Sequence, residues 1–255
     1  MSDPVTAKGR GIPLRTLIPN AVTVLALCSG LTAVRFGIAG EWEKAVLAIV
    51  IAGVLDGIDG RIARLLKGAS RFGAELDSLS DVIAFGVSPA LIMYLWSLQD
   101  LPSGVGWVIA LAHTVTCALR LARFNASIDG DVQPHKRAGY LTGIPAPVGA
   151  GLTLSPMFLA FWLEPAFLED PTVRAAIVAP VVIIVSLLMV SNVPTYSWSS
   201  VRIRPGVRLF ALAGVGLFAG SLFTSPWMTL SLVCLAYAIA LPLAWRSYKR
   251  STRAE

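Results

Sequence analysis

The sequence predicts an all-α integral membrane protein, a polytopic bundle of about eight transmembrane helices. Hydrophobic residues make up 55% of the 255-residue chain and charged residues only 14%, whereas a soluble domain carries about 25% charged residues. The mean hydropathy is correspondingly high, at +0.71. The apolar residues also fall into separate runs of about 20 residues, the length that a helix needs to cross the hydrocarbon core of a bilayer.

Eight apolar segments follow one another along the chain: 17–37, 44–66, 74–98, 104–124, 144–163, 172–192, 207–224 and 227–245. Short polar breaks such as AGEWE, QDLPSG and EPAFLEDP separate most of them. Only TSP divides the last two, which fits either a helical hairpin or one long buried stretch. The N-terminus lacks the pattern of a cleavable signal, so the first segment is expected to stay as a helix. We predict one membrane-embedded domain over residues 1–255, with a six-helix core over about 17–198 and a C-terminal helix pair over about 207–245.

The distribution of charge predicts the orientation. If the N-terminus is cytoplasmic, the inner regions hold all of the 21 basic residues except Arg35, Lys44 and Arg174. This is the positive-inside pattern, and it predicts a multi-pass protein of the cytoplasmic (inner) membrane with both termini on the cytoplasmic side. The inner basic clusters also favour contact with anionic membrane lipids. The net charge of +6 is therefore explained by topology and gives no case for nucleic acid.

Four aspartates interrupt this apolar pattern. Asp56 and Asp59 lie three residues apart in the second segment, and Asp77 and Asp81 lie four apart in the third. Both spacings place a pair on one face of a helix. The connecting turn KGASRFG is short, so the two helices are expected to be antiparallel neighbours whose aspartates meet at the cytoplasmic end. A lone carboxylate at mid-bilayer costs about 2.5–3.5 kcal/mol on insertion scales, and such residues usually have a function.

Converging carboxylates favour a divalent-cation site. They repel one another in a low-dielectric environment unless positive charge lies between them. Oxygen ligands without His or Cys suit Mg²⁺, Mn²⁺ or Ca²⁺ rather than zinc, and pairs of such ions about 3.5–4 Å apart recur in phosphoryl transfer. The structural alternative is that these aspartates cap helices or form interfacial ion pairs with Arg61, Arg64 and Arg71.

Small and basic residues beside the aspartates suit a nucleotide. Gly60 and Ala63 leave the face of the second helix open, so a nucleotide can lie against the backbone. Gly73 allows the turn to approach closely. Arg64 offers a planar fork of donors to phosphate.

These residues follow the pattern D-x-x-D-G-x-x-A-R-x8-G-x-x-x-D-x-x-x-D from Asp56 to Asp81 without a departure. The pattern resembles the signature of the CDP-alcohol phosphotransferases, integral membrane enzymes of phospholipid synthesis. The resemblance implies that all four aspartates bind divalent metal, with Asp81 as the catalytic base. It further implies a CDP site formed by Asp56, Gly60, Ala63, Arg64, Gly73 and Asp77.

Further stretches resemble the phosphatidylserine synthases of this family. They are ALRLARFN (118–125), GIPAPVGAG (143–151) and LMVSNVPTYSW (188–198), while IPNAVT (18–23) is common across the family. This resemblance implies transfer of the phosphatidyl group from CDP-diacylglycerol to L-serine, with release of CMP. It also suggests a homodimer.

The acceptor would need cations for a serine carboxylate and a lipid phosphate. The candidate acceptor- and phosphate-binding residues are Asn20, Arg120, Arg123, Asn125, Lys136 and Arg137. The four basic ones fit equally well as positive-inside anchors, and Asn20 fits equally well as a helix cap. His113, on an apolar helix, is expected to be packed rather than to act as a ligand.

Two other functions remain open from the sequence. The first keeps the chemistry and replaces serine by glycerol phosphate, inositol phosphate or choline. The second is a cation- or proton-coupled transporter, which also uses intramembrane acids. A transporter would be expected to carry them near the midplane, on broken helices in a repeated architecture, and no repeat is evident here.

Overall fold

The structure is a computed structural model and describes residues 14–126, 140–196 and 208–251. Most of these residues are helical. The α-helices are α1 (Leu14–Ile38), α2 (Trp42–Leu65), α3 (Arg71–Asp81), α4 (Ser88–Trp96), α5 (Val105–Ala126), α6 (Ala146–Leu163), α7 (Pro171–Val190), α8 (Arg208–Thr224) and α9 (Pro226–Ser251). A π-helix, Val82–Val87, joins α3 to α4, so that 71–96 forms one uninterrupted rod. Short 3₁₀ turns lie at Leu98–Asp100, Pro102–Gly104 and Ala166–Leu168.

Within the described ranges, six helical stretches are long and apolar enough to cross a bilayer: 15–38, 71–96, 102–126, 146–163, 171–190 and 226–245. α2 has 24 residues, about 36 Å of helix, but Asp56, Asp59 and Arg61 interrupt its apolar stretch. The apolar part of α8 is shorter, at 212–224. The prediction of a polytopic helical membrane protein is confirmed. Two of the eight predicted spans, α2 and α8, do not meet the length and hydropathy expected of a membrane-crossing helix.

The hairpin between α2 and α3 is closed by its turn residues. Lys67 takes a left-handed conformation with φ of 50° just after α2. Ser70 then caps α3, because its hydroxyl accepts a hydrogen bond of 3.0 Å from the Gly73 amide. Between them, the Cα of Gly68 lies so close to the Arg15 carbonyl that no side chain would fit. The turn is therefore held against the start of α1.

Close helix packing surrounds the rod that carries Asp77 and Asp81. α1 packs along α2 and also contacts α3, the π-helix and α4. At Gly30 of α1, a Cβ would lie 2.8 Å from the Cα of Ala84, so only glycine allows this approach. The buried core continues through α4, α5, α6 and α7, and its largest fully buried side chains include Phe85, Ile92 and Phe158.

A short antiparallel pairing adds to the all-helical prediction. β1 (Tyr140–Thr142) precedes α6 and β2 (Pro194–Tyr196) follows α7. Leu141 is the partner of Thr195 in the register. The pairing ties together the chain segments at one end of α6 and α7, and it buries Thr195.

The C-terminal pair consists of two separate helices. α8 ends at Thr224 and α9 begins at Pro226, a residue that suits the first turn of a helix. α9 packs against α6 and β2, with the rings of Phe161 and Trp227 4.9 Å apart. Apolar side chains of α8, such as Phe223, are exposed, as expected for a helix that faces lipid.

Candidate active site

The hairpin of α2 and α3 brings three of the four aspartates into one cluster. One carboxylate oxygen from each of Asp56, Asp59 and Asp77 lies within 4.8 Å of the other two. Asp81, one turn further along α3, makes a side-chain hydrogen bond with Asp56. The site is therefore a group of three carboxylates with a fourth beside it.

The interfacial ion-pair alternative finds no support in the described part of the chain. The ion pairs there join Lys44 to Glu41 and Arg174 to Asp100, and none of them involves the four aspartates. Both pairs lie in regions predicted to be at the outer side of the membrane. Among the described residues, the four aspartates therefore form no ion pair within 4 Å.

A hydroxyl from α1 fixes one carboxylate of the cluster. Thr23 Oγ1 donates a hydrogen bond of 2.7 Å to Asp59 Oδ2, and Asp59 is only 4% exposed. Ser80 Oγ in turn donates to the Thr23 carbonyl oxygen at 3.2 Å. α1 and α3 are therefore linked through Thr23 to the side chain that α2 contributes.

A cavity of about 150 Å³ opens beside the cluster. α1, α2, α3 and the turn between α2 and α3 all contribute to it. Its lining residues are Pro19, Asn20, Thr23, Asp59, Gly60, Ala63, Gly68, Ala69, Ser70, Gly73, Ala74 and Asp77. The cavity therefore places the small residues of the motif on the same concave surface as two of the aspartates.

The two motif glycines differ in what surrounds them. A Cβ at Gly60 would meet nothing within 4 Å, so the helix surface there is open to the cavity. A Cβ at Gly73 would lie 2.7 Å from Asn20 Oδ1, so α3 could not approach α1 as closely with a side chain at that position. Arg64 lies in the last turn of α2 with its side chain exposed.

The donor set fits a divalent metal. Asp56, Asp59 and Asp77 supply carboxylate oxygens close enough to share an ion, and carboxylates are the ligands that Mg²⁺ and Mn²⁺ prefer. Asp59 is nearly inaccessible to solvent, and a buried carboxylate needs compensation by hydrogen bonds or positive charge. The Thr23 hydroxyl supplies one such bond and leaves the rest of the charge in the cluster to be balanced.

Arg120 of α5 faces the cluster from another side. Its guanidinium lies within electrostatic range of Asp56 and Asp81. Its Nε is buried and has no hydrogen-bond partner among the residues that the structure describes. Arg120 is therefore a cation with an unused donor beside the proposed base.

Arg123 and Asn125 make contacts within the protein. Arg123 donates to the carbonyl oxygens of Val190 and Ser191 at 2.9 and 3.3 Å, and to Asn192 Oδ1 at 3.0 Å. These bonds cap the C-terminal end of α7 and occupy three of the five guanidinium N–H groups. Asn125 Nδ2 donates to Ser78 Oγ at 2.8 Å, next to Asp77 in sequence.

The other candidate acceptor residues have separate positions. Asn20 lines the cavity beside Gly73. Lys136 and Arg137 lie outside the described residues. Among the described candidates, Asn20 lines the cavity next to the aspartates, and Arg120 lies near them with a buried Nε that no described residue accepts.

The π-helix directly after Asp81 is held by α5. His113 Nε2 lies 3.3 Å from the Phe85 carbonyl oxygen, and its Nδ1 lies 3.3 Å from Thr153 Oγ1. Nε2 then donates to the carbonyl, and Nδ1 accepts from the hydroxyl. Thr114 Oγ1 also lies 3.4 Å from the carbonyl oxygen of Gly86. His113 is thus a packed residue, as its surroundings in the sequence suggested, and it binds the backbone beside the site.

A second, apolar cavity of about 350 Å³ lies between α2, the π-helix, α6 and α9. Gly53 and Val54, which immediately precede Leu55 and Asp56, form one wall, and Leu230 and Tyr237 of α9 form another. The cavity is thus lined mainly by apolar side chains and begins one helical turn before Asp56.

Three residues near the site are absent from the set that the sequence predicts: Thr23, Thr195 and Tyr237. Thr23 has a detectable signal, since it lies three residues after Asn20 on the same face of α1. Tyr237 approaches Arg120 and bonds to Thr195 because α9 packs against β2, and no local sequence pattern indicates that approach.

Comparison with known proteins identifies the family of the chain. The model of the family described as CDP-alcohol phosphatidyltransferase matches residues 16–190. A second model, CDP-alcohol phosphatidyltransferase 2, matches residues 207–242. The two matches include the aspartate hairpin and most of the C-terminal helix pair.

Similar proteins carry the name CDP-diacylglycerol–serine O-phosphatidyltransferase. The one from Mycobacterium tuberculosis strain H37Rv is 35% identical over 94% of this chain and 82% of its own length. The protein from Helicobacter pylori strain 26695 is 32% identical over 90% of this chain and 91% of its own length. The one from Bacillus subtilis is 34% identical over 61% of this chain and 81% of its own length. The family match, these relatives and the aspartate motif agree: the chain belongs to the CDP-alcohol phosphatidyltransferase family.

Proposed function

We propose that the protein catalyses metal-dependent transfer of the phosphatidyl group from CDP-diacylglycerol to L-serine, which gives phosphatidylserine and CMP. The main support for this proposal is the cluster of Asp56, Asp59 and Asp77, with Asp81 beside it. The names of the relatives support serine as the acceptor. Among the described residues, no observation favours glycerol phosphate, inositol phosphate, choline or a transport function.

The reaction is a single displacement. The serine hydroxyl oxygen attacks the β-phosphorus, which bears the lipid, and the bond from that phosphorus to the bridging oxygen breaks so that CMP leaves. A carboxylate oxygen of Asp81 takes the hydroxyl proton as general base. The described part of the cluster contains no Ser, Cys or His placed as a nucleophile, which favours direct transfer over a covalent enzyme intermediate.

Asp56, Asp59, Asp77 and Asp81 would hold one or two Mg²⁺ or Mn²⁺ ions. When bound, the metal neutralises the diphosphate and the charge that develops on the leaving CMP. Thr23 restrains Asp59 and so limits the orientations that its carboxylate can take. Arg120 supplies a further positive charge close to Asp56 and Asp81.

The CDP group occupies the 150 Å³ cavity. There it lies against the open surface at Gly60 and Ala63, with Asn20 and Gly73 opposite. Arg64, at the end of α2, reaches the phosphates from the exposed side. The diacylglycerol chains lie among the helices, and the apolar cavity that begins at Gly53 suits one of them by its lining and its position.

The acceptor enters next to Arg120. Its buried Nε lacks a partner among the described residues, and a guanidinium can bind a carboxylate through two parallel hydrogen bonds. Arg123 keeps two N–H groups beyond its bonds to the end of α7, and Asn125 holds Ser78 near Asp77. Lys136 and Arg137, which lie outside the described residues, stay candidates for the same role on the basis of sequence alone. We place the site at the cytoplasmic side of the inner membrane, with both termini on that side, in a homodimer.

The decisive experiment measures CMP release by purified protein in detergent with CDP-diacylglycerol and Mg²⁺ or Mn²⁺. Serine, glycerol 3-phosphate, inositol phosphate and choline are supplied separately as acceptors. We expect release that requires serine and metal and that Asp81→Asn abolishes. Glu75→Gln is the matched control, because Glu75 is an exposed acid on the same helix.

The possible results test the acceptor, the role of Asp81 and the reaction separately. Release with a different acceptor would reject serine while keeping the chemistry. Release that persists in Asp81→Asn would reject Asp81 as the base. Absence of release with all four acceptors, from protein shown to be folded, would reject the proposed reaction.

A further inference from the structure

α9 reaches the candidate active site although it lies beyond the main family match, which ends at residue 190. The helix packs along α6 and against β2. Tyr237, half-buried on α9, lines the apolar cavity that begins beside Asp56. The helix thus brings a hydroxyl to a wall of the site that is otherwise largely apolar.

The Tyr237 hydroxyl belongs to a short chain of hydrogen bonds. It bonds to the side chain of Thr195, and Thr195 Oγ1 donates to the Gly143 carbonyl oxygen at 2.9 Å. Since the single proton of Thr195 is used for Gly143, Tyr237 is the donor to Thr195. The phenol oxygen therefore keeps its lone pairs for another donor.

Arg120 lies near the same hydroxyl. Its guanidinium is within electrostatic range of Tyr237 as well as of Asp81. A phenol oxygen with free lone pairs can accept a hydrogen bond from a nearby guanidinium, and such a bond would offset the attraction that the aspartates exert on that guanidinium. Without the phenol, the attraction of the aspartates would draw it towards them and away from an incoming anion.

We propose that Tyr237 is a positioning residue for the acceptor: it holds Arg120 where the guanidinium can bind the acceptor's carboxylate. This inference rests on the proposed function, because it assumes that the acceptor carries a carboxylate. Gly143, Thr195 and Tyr237 form the support, and Arg120 makes the contact with the substrate. α9 thereby takes part in acceptor selection.

The test compares Tyr237→Phe with the wild type in full-length protein, with Tyr94→Phe as the matched control. Phenylalanine keeps the ring that lines the cavity and removes only the hydroxyl. Tyr94 is also half-buried, and its ring contacts Trp107 at 5.3 Å. We expect Tyr237→Phe to raise KM for serine about tenfold, the scale of a lost hydrogen bond to a charged group. kcat and KM for CDP-diacylglycerol should stay within about twofold of the wild-type values, as expected when ground-state binding of one substrate is lost.

A double-mutant cycle tests whether Tyr237 acts through Arg120. Arg120→Lys keeps the charge but loses the planar fork, so Tyr237→Phe should add little to its effect on KM for serine. Thr195→Val removes the support from the other end and should reproduce the phenotype of Tyr237→Phe. Additive effects of the two substitutions would overturn the proposed route through Arg120.

The outcomes separate this inference from the function on which it rests. If the wild type releases no CMP with serine, the proposed function fails. If the wild type uses serine and Tyr237→Phe leaves KM for serine unchanged, the positioning role fails and the function stands. A fall in kcat with unchanged KM for serine would likewise overturn the role in acceptor binding.

Discussion

At the residue scale, the aspartate cluster depends on neighbours that keep buried charge in place. Asp59 is nearly inaccessible and accepts a hydrogen bond from Thr23. A hydrogen bond to a charged group contributes about 1.5–3 kcal/mol, which limits the movement of that carboxylate. Asp81 shares its described hydrogen bond with Asp56, another carboxylate of the site. Because like charges repel there, Asp77 and Asp81 depend more on a bound cation than Asp59 does.

Two glycines of α2 allow a test of the nucleotide cavity. A Cβ at Gly57 or at Gly60 would meet nothing within 4 Å, but only Gly60 lines the cavity. Alanine in place of glycine stabilises a helix interior by about 0.8–1 kcal/mol, so neither Gly57→Ala nor Gly60→Ala should lower the thermal midpoint. We expect Gly60→Ala to raise KM for CDP-diacylglycerol by about tenfold, because a methyl group in the wall keeps the nucleotide from the backbone.

The comparison with Gly57→Ala supplies the control. KM and the thermal midpoint in detergent are measured for both variants, and Gly57→Ala should retain the wild-type KM. An unchanged KM in Gly60→Ala would show that the nucleotide does not lie against this surface.

Residue-scale predictions from sequence succeed where helical periodicity controls the outcome. The spacing of Asp56, Asp59 and Asp77 and the short turn were enough to expect their meeting, and they do lie together. Periodicity says nothing of Arg123, whose bonds to the end of α7 join residues 67 to 69 positions apart. Such contacts depend on how whole helices pack.

At the element scale, the π-helix is the feature that local sequence did not predict. Val82–Val87 contains no proline and reads as an ordinary apolar helix, yet its hydrogen bonds follow the wider π pattern. π-Segments inside α-helices are rare and often accompany functional sites. Here the segment follows Asp81 directly, and polar groups from α5 bind its carbonyl oxygens. Tertiary contacts, rather than propensity, account for it.

Loss of the His113 contact should weaken both the fold and the reaction. His113→Leu leaves the buried Phe85 carbonyl without its side-chain partner, which should lower the free energy of unfolding by about 1–3 kcal/mol. It should also lower kcat about ten- to hundredfold, since an ångström-scale displacement of a catalytic group has effects of that size. Thermal unfolding and CMP release per folded molecule are the measurements.

His113→Gln provides the matched comparison, because its amide can still donate to Phe85. This variant should recover part of the lost kcat. A leucine variant with the kcat of the wild type would show that the π-helix does not position Asp81.

At the scale of the whole molecule, the predicted orientation can be tested at the two ends of one rod. Glu75 lies near the start of the 71–96 rod and Gln99 just after its end, and both are exposed. With the native Cys28 replaced by alanine, a membrane-impermeant thiol reagent should label Glu75→Cys only from the cytoplasmic side and Gln99→Cys only from outside. The positive-inside distribution of charge is the physical reason. Intact and permeabilised cells give the comparison, and the reverse pattern would invert the topology.

The apolar runs predicted the spans to within a few residues, because the length required by a bilayer is a strong constraint. The third run, 74–98, appears as the rod 71–96. The pairing of β1 with β2 and the approach of α9 to Arg120 were not predictable in this way. Both join segments more than 50 residues apart in the chain, and hydropathy carries no information on such distant partners.

The depth of Asp81 determines which substrate has to travel. Asp81 lies ten residues beyond Arg71 in the rod, about 15 Å along its axis at 1.5 Å per residue. If Arg71 marks the membrane surface, as the predicted orientation requires, Asp81 lies below the level of the lipid headgroups. Lifting an acyl chain into water costs about 0.8 kcal/mol for each CH₂ group, whereas a small polar molecule loses no such hydrophobic contact when it moves to the site. For the proposed reaction, this depth would let the lipid donor stay in its leaflet while the amino-acid acceptor moves inward to meet it.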